Sequence, residues 1–151
     1  MKMRRLVRIL LAGVMFVFSG CTFTAESNIT VKEVRCEYAD NPLGVDTRSP
    51  RFSCILESNQ RGQMQSAYQV LVASSEEKLD KDIGDKWDSR KVFSEKSVNI
   101  PYDGHPLTSG EKCFWKVRVW DRKGRPSSWS EPGTFEMGLL KESDWQCQWI
   151  G

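Results

Sequence analysis

Hydrophobic and polar residues alternate in short runs along most of this chain, a pattern typical of half-buried strands. The clearest run, residues 114–120, places Trp115, Val117 and Val119 on one face and charged side chains on the other. Turn residues (Gly, Pro, Asn and Asp) separate it from further runs at 29–38, 52–56, 68–73, 87–93, 97–100 and 134–137. About seven such strands predict an all-β fold, an antiparallel β-sandwich.

Two local departures modify this picture. The first run changes parity once between Ile29 and Tyr38, which predicts a β-bulge. Residues 74–79 offer a hydroxyl as N-cap followed by acidic residues, which predicts a helix of one or two turns.

The N-terminus has the pattern of an export signal. Basic residues between 1 and 8 lead into an apolar run that ends at Phe18, too short to cross a bilayer but suited to a signal peptide. The four residues that end at Cys21 resemble a bacterial lipobox, which implies that the Cys21 thiol carries lipid and that the chain is cut before it. An ordinary secretory signal with an incidental cysteine is the alternative.

These features predict an exported lipoprotein, anchored in a membrane and facing the periplasm or the cell surface. We expect residues 1–20 to form the lipoprotein signal peptide and the mostly small and polar residues 21–28 to form a tether.

The formal charge of +2 is dominated by the N-terminus, since four of the 22 basic residues lie within the first ten positions. The other 18 basic residues are outnumbered by the 20 acidic residues, so the folded part is weakly acidic. No basic patch indicates nucleic acid as a partner.

The sequence carries few of the residue patterns that catalysis requires. The single histidine, His105, lies in a Gly- and Pro-flanked loop with no partner at a catalytic spacing. The five cysteines show no metal-ligand spacing, and phosphate-binding glycine motifs are absent from the sequence. The acidic run between residues 76 and 85 alternates with lysines, as on a solvated face. The sequence therefore predicts no catalytic site, metal or cofactor.

Six tryptophans are the most distinctive feature of the composition. Trp115 and Trp120 are expected to pack within the domain, whereas Trp145 and Trp149 suit a contact with a neighbouring domain. Exposed tryptophans could instead stack on sugar rings, which would make this a free-standing carbohydrate-binding or adhesion module.

Several segments in sequence order resemble the start of bacterial α-L-rhamnosidases of glycoside hydrolase family 78. The matching segments are 41–46, 49–53, 65–74, 87–89, 114–121, 135–140, 144–146 and 149–151. The resemblance implies a fibronectin type III-like or immunoglobulin-like sandwich at residues 29–138. It also implies that residues 139–151 are a linker and the start of a next domain.

In the resembled family this module precedes further β-domains and an (α/α)₆ barrel, whose paired carboxylates hydrolyse terminal α-L-rhamnose with inversion. None of those carboxylates maps onto this chain. The resemblance therefore implies a non-catalytic structural module, truncated before the barrel, whose partners are the downstream catalytic domains and, through the lipid, a membrane.

Some positions depart from the resembled pattern. Cys54 stands where Trp is usual and Cys113 where an aromatic residue is usual, while Arg90 replaces Gly and Cys147 a small residue. In fibronectin type III-like sandwiches the strands of Cys54 and Cys113 lie in opposite sheets, which makes these two cysteines a candidate disulfide in an oxidising compartment. Two buried free thiols are the alternative.

Overall fold

The computed structural model describes residues 26–146. The predicted signal peptide, the lipidation site Cys21, and residues Cys147 and Trp149 lie outside this range.

Within residues 26–146, eight strands form two sheets, and this confirms the predicted all-β antiparallel sandwich. One sheet has three strands in the order β1-β2-β6, and the other has β4-β3-β7-β8 with β5 also paired to β3. The strands are β1 (Ile29–Cys36), β2 (Arg51–Ser58), β3 (Gln65–Ala73), β4 (Trp87–Asp88), β5 (Val92–Phe93), β6 (Ile100–Pro101), β7 (Lys112–Asp121) and β8 (Gly133–Glu136).

The predicted run at 87–93 is two separate two-residue strands, because the backbone turns between them. Arg90 has a φ of 56°, a left-handed conformation that a continuous strand cannot contain. Asn99, with a φ of 54°, likewise interrupts the predicted run at 97–100 and delays β6 to Ile100. The expected bulge in β1 is present as a register shift between Val31 and Glu33.

The core lies between the two sheets and is centred on Phe52 of β2. Its ring centroid is 4.4 Å from that of Trp115 in β7 and 5.7 Å from that of Phe135 in β8. All three side chains are about 1% exposed, and burial of such a side chain contributes roughly 1.5–3 kcal/mol. The inward face predicted for Trp115, Val117 and Val119 is confirmed.

The predicted short helix is present as α1 (Glu76–Asp80). The Ser75 hydroxyl caps it by accepting from the backbone N–H of Lys78, and Glu76 and Glu77 occupy the first turn, where carboxylates favour the helix N-terminus. Leu79 is 1% exposed and packs with Leu71 and Ala73 on the outer face of the five-stranded sheet.

Residues 41–45 cover the free edge of β8. The Glu136 N–H donates to the Pro42 carbonyl, and the Val45 N–H donates to the Glu136 carbonyl. The Asn41 side chain accepts from the Thr134 N–H at 2.7 Å. An edge strand covered in this way has fewer free backbone groups with which to pair with another chain.

Candidate functional site

Tryptophans are the side chains in this sequence best suited to bind a sugar ring. Trp115 is buried in the core, and half-buried Trp87 packs against Phe52 and Tyr102, with ring centroids 6.2 and 5.5 Å away. Both rings are therefore part of the internal packing.

Trp120 and Trp129 belong to a stack of alternating aromatic and cationic side chains on the outer face of the five-stranded sheet. We call this stack the cation–π ladder. The Arg118 guanidinium carbon lies 5.0 Å from the Trp120 ring and 4.4 Å from the Trp129 ring. Lys91 lies 4.7 Å from Trp120, and Lys116 lies 5.0 Å from Trp129. These distances are within the range at which a ring face attracts a cation.

Local hydrogen bonds hold the ladder in place. Segment 126–130 runs beside β7, and the Ser127 and Ser130 hydroxyls accept from the Val119 and Val117 N–H groups, each at 3.1 Å. This pairing places Trp129 over the sheet. Gln69 accepts two hydrogen bonds from Arg118, at 3.0 and 2.8 Å, which fixes the guanidinium between the two indoles.

The sequence placed Lys116 and Arg118 on the outer face of β7 but did not predict that this face is covered. Lys116 is only 8% exposed and pairs with Asp82, at an Nζ–Oδ1 distance of 2.5 Å. On the outer face of β7 every second residue from Phe114 to Trp120 is aromatic or basic, but this pattern does not reveal the residues from other segments that complete the ladder.

Of the tryptophans between residues 26 and 146, only Trp145 is more than half exposed, at 63%. The ladder places cations against Trp120 and Trp129, so these rings offer no open platform for a sugar. This geometry disfavours the free-standing carbohydrate-binding module that exposed tryptophans would serve.

Trp145 extends from a C-terminal segment that is fixed to the sandwich. A 3-10 helix, Glu142–Asp144, precedes it, and the Asp144 carboxylate accepts a short hydrogen bond from the Ser109 hydroxyl. Ser109 Oγ also accepts from the Leu140 N–H at 2.9 Å. The pKa of Asp144 is lowered, first by the Ser109 hydrogen bond.

The carboxylates of the domain are the other groups that could act in catalysis, as a pair. In residues 26–146, every carboxyl group with a resolved shift has its pKa lowered, and these groups are Glu37, Asp85, Glu111, Asp121 and Asp144. A general acid of a glycoside hydrolase requires a raised pKa, so that it stays protonated near neutral pH. These carboxylates are instead held ionised by their neighbours.

Glu111 illustrates how the neighbours act. Burial disfavours its charged form, but hydrogen bonds from Lys86 and from the Thr108 N–H and hydroxyl outweigh burial and lower the pKa. The pKa of Lys86 is raised, first by its hydrogen bond to Glu111. This ion pair joins the start of β4 to the loop before β7 and was not predicted from the sequence, because its partners are 25 positions apart with no local pattern.

His105 is exposed in the loop between β6 and β7, beside a shallow cavity of about 370 Å³. The backbone N–H of His105 donates to the Lys86 carbonyl at 2.9 Å, and the backbone carbonyl of His105 accepts from the Tyr102 hydroxyl at 2.7 Å. Between residues 26 and 146 no group of three or more His, Cys, Asp or Glu residues is arranged to hold a metal ion. Within the same range no helix has the length and apolarity needed to cross a bilayer.

The candidate disulfide between Cys54 and Cys113 is not formed in the structure, where both are buried free cysteines, as is Cys36. Opposed sheets lie about 10 Å apart, whereas a disulfide needs Cα atoms about 4.4–6.8 Å apart. Burial raises the pKa of each of the three thiols to about 12, so all three are protonated near neutral pH.

Comparison with known proteins identifies the fold's relatives. The family model described as "Rha78A-like, N-terminal immunoglobulin domain" matches residues 31–141. The chain belongs to this family of immunoglobulin domains. The resemblance to α-L-rhamnosidases noted in the sequence is thereby confirmed, and the domain is not the catalytic part of such an enzyme.

Individual relatives agree with this assignment. An α-L-rhamnosidase of Formosa agariphila is 40% identical over 153 residues, which cover 99% of this chain and 16% of that protein. An α-L-rhamnosidase of Streptomyces avermitilis is 46% identical over 82% of this chain and 12% of its own length. The immunoglobulin domain thus spans less than a fifth of the length of these curated relatives.

Two solved structures have the same fold. The α-L-rhamnosidase of Dictyoglumus thermophilum matches with a TM-score of 0.77 and 44% identity, over 80% of this chain and 14% of that one. The Streptomyces avermitilis α-L-rhamnosidase complexed with L-rhamnose also matches with a TM-score of 0.77, at 46% identity over 82% of this chain and 12% of its own.

Proposed function

We propose that this immunoglobulin domain serves as the non-catalytic accessory module of an exported enzyme that hydrolyses terminal α-L-rhamnose from glycans or glycosides. The observation that carries the proposal is the family match over residues 31–141, together with relatives whose printed names are α-L-rhamnosidase. The carboxylates of the domain support it, since none of those with a resolved shift has the raised pKa of a general acid.

An activity assay tests this proposal. The 151-residue chain should release no product from an aryl α-L-rhamnoside, whereas the full-length polypeptide that carries the module should release it. Hydrolysis by the short chain that disappears when one of its own acids is replaced would contradict the proposal. An inactive full-length polypeptide would contradict the assignment of α-L-rhamnose as its substrate.

Membrane anchoring is the second part of the proposal. It is supported by the sequence alone, through the short apolar run and the lipobox-like residues that end at Cys21. In cells fed a clickable fatty acid, the wild-type chain should carry the label and sediment with membranes. The variant Cys21→Ala should lose the label, and label retained by that variant would refute acylation at this position.

A further inference from the structure

A shallow cavity of about 270 Å³ lies on the outer face of the three-stranded sheet, and we call it the Tyr38 cavity. In the pairing of β1 with β2, Glu33 lies opposite Ile55. Two residues along, Arg35 lies opposite Ser53. Opposite residues of an antiparallel pair point to the same side of the sheet, so these four side chains stand together on the outer face and line the cavity.

The ring of Tyr38 forms one wall of this cavity and is held in place from two sides. Its backbone has a φ of 66°, a left-handed conformation that is unusual for a bulky residue. The hydroxyl donates to the Asn99 side chain at 2.8 Å, and the Arg51 guanidinium carbon lies 5.1 Å from the ring centroid. Tyr38 is nevertheless 61% exposed, and Arg51 does not line the cavity. The ring face away from Arg51 is therefore the one that is open to the cavity.

The rest of the lining combines apolar side chains with one pair of charged groups. Ile55 is 45% exposed and Val98 is 55% exposed, so both offer apolar surface to a ligand. Arg35 donates to Glu33 at 2.8 Å, and both side chains keep about half of their surface exposed. This pair places a hydrogen-bond donor and an acceptor side by side. One guanidinium and one carboxylate leave the lining without net charge, which favours a neutral ligand over an ion.

We propose that the Tyr38 cavity binds one neutral 6-deoxy sugar ring, such as a rhamnosyl unit of the substrate. This proposal rests on the proposed function. A sugar ring presents C–H groups, which suit the negative face of an aromatic ring, and hydroxyls, which can bind the Glu33 carboxylate and the Arg35 guanidinium. The methyl group of a 6-deoxy sugar suits the apolar side chains of Ile55 and Val98. The cavity is slightly smaller than the sites of about 300–1,000 Å³ that hold drug-sized ligands, so its size suits a single ring.

Titration of the nitrogen-15-labelled 151-residue chain with methyl α-L-rhamnoside, followed through amide chemical shifts, tests the proposal. Amides of residues 33–38, 53–55 and 98 should shift with a dissociation constant of about 1–10 mM, as expected of a small ligand in a shallow site. Tyr38→Ala should weaken binding at least about tenfold, whereas Tyr38→Phe, which keeps the ring, should bind within about threefold of the wild type. Unchanged shifts of the core amides establish that each variant is folded.

One control variant and one control sugar accompany this titration. Phe93→Ala removes a ring that is 81% exposed on β5 of the other sheet, and it should leave binding unchanged. Methyl α-L-mannoside differs from the rhamnoside by a hydroxyl at C6 and should bind at least about threefold more weakly, because that hydroxyl loses water beside Ile55 and Val98. Absence of the expected shifts, shifts that persist in Tyr38→Ala, or equal affinity for the two sugars would overturn the proposal.

Hydrolysis of an aryl α-L-rhamnoside by the full-length polypeptide is measured separately. An active full-length polypeptide whose module shows no shifts would refute the sugar site alone. An inactive full-length polypeptide would refute the proposed function, and the shifts in the 151-residue chain would still decide whether the Tyr38 cavity binds the sugar.

Discussion

Cys54 lies on the inward face of β2, within the core. Its side chain is 5% exposed, whereas its neighbours Ser53 and Ile55 face outward and line a shallow cavity of about 270 Å³ on the other side of the sheet. The resemblance to α-L-rhamnosidases places a tryptophan at this position. A smaller side chain at such a site forgoes both buried area and packing contacts.

The side chains around Cys54 are packed against the smaller residue, so a ring introduced without other changes should overpack the core. We expect Cys54→Trp to lower the free energy of unfolding by about 1–3 kcal/mol, measured by denaturant titration. The control Ile55→Trp places the same ring at an outward side chain that is 45% exposed, and it should change stability by less than about 0.5 kcal/mol. A gain in stability in Cys54→Trp would show that the core has room for the ring.

The oxidation state of the cysteines is a second prediction at this scale. The structure holds Cys36, Cys54 and Cys113 as free thiols, so the Cys21→Ala chain should show four reactive thiols in denaturant without reductant, the fourth being Cys147. In the folded chain the three buried thiols should react slowly, since burial keeps them protonated and inaccessible. A thiol count that reaches four only after reduction, and is two before it, would show that a disulfide is present and would favour the pair Cys54 and Cys113.

At the scale of elements, the strands that the sequence predicted best are those with strict alternation over many residues. β7 was predicted because residues 114–120 alternate without interruption, and the structure extends it by only a few residues. β5 and β6 have two residues each, too few to carry a period, and their limits depend on the left-handed residues Arg90 and Asn99.

Burial of the outer face of β7 could not be predicted from the sequence, for a different reason. Alternation assigned Lys116 and Arg118 to the outer face correctly, but their burial depends on Trp129 and Asp82, which arrive from separate loops. Such non-local contacts leave no periodic signal. The cation–π ladder therefore had to be seen in the structure.

The ladder should contribute measurably to stability through Arg118. We expect Arg118→Ala to lower the free energy of unfolding by about 1–3 kcal/mol, because the guanidinium contacts two indoles and Gln69. Acrylamide quenching of tryptophan fluorescence should rise as Trp129 becomes more accessible.

The conservative and distant variants separate the ladder from a general charge effect. Arg118→Lys should fall between wild type and Arg118→Ala, since an ammonium keeps the charge but lacks the planar fork. Arg90→Ala removes an arginine whose side chain is 86% exposed, and it should change stability by less than about 0.5 kcal/mol. Equal losses at Arg90 and Arg118 would argue against a role for the ladder.

At the scale of the whole molecule, ionised carboxylates as well as the apolar core hold the sandwich together. Glu111 and Lys86 link the loop before β7 to β4, and Asp121 with Arg125 closes the turn after β7. Asp85 binds Ser74 and Lys78 beside α1, and although burial opposes ionisation, these hydrogen bonds lower its pKa to about 2. The fold class could be predicted from alternation alone, but these pairs could not. Glu111 and Lys86 are 25 positions apart, and the two nearer pairs form only because turns bring their side chains together.

Stability of the domain should consequently fall in acid. The folded-state pKa values of Glu111 and Asp121 lie below their ordinary values of 4.5 and 3.8, and Asp85 falls to about 2. A carboxyl with a lowered folded pKa stabilises the folded state above its unfolded pKa and loses this contribution as pH falls through the folded value. Denaturant titrations should therefore give an unfolding free energy that declines steadily from about pH 5 to about pH 2. Glu111→Gln should be less stable than wild type near neutral pH and should show a shallower decline, because it lacks one of the protonating groups. A free energy that stays constant or rises over this interval would mean that these carboxylates do not stabilise the fold through their charge.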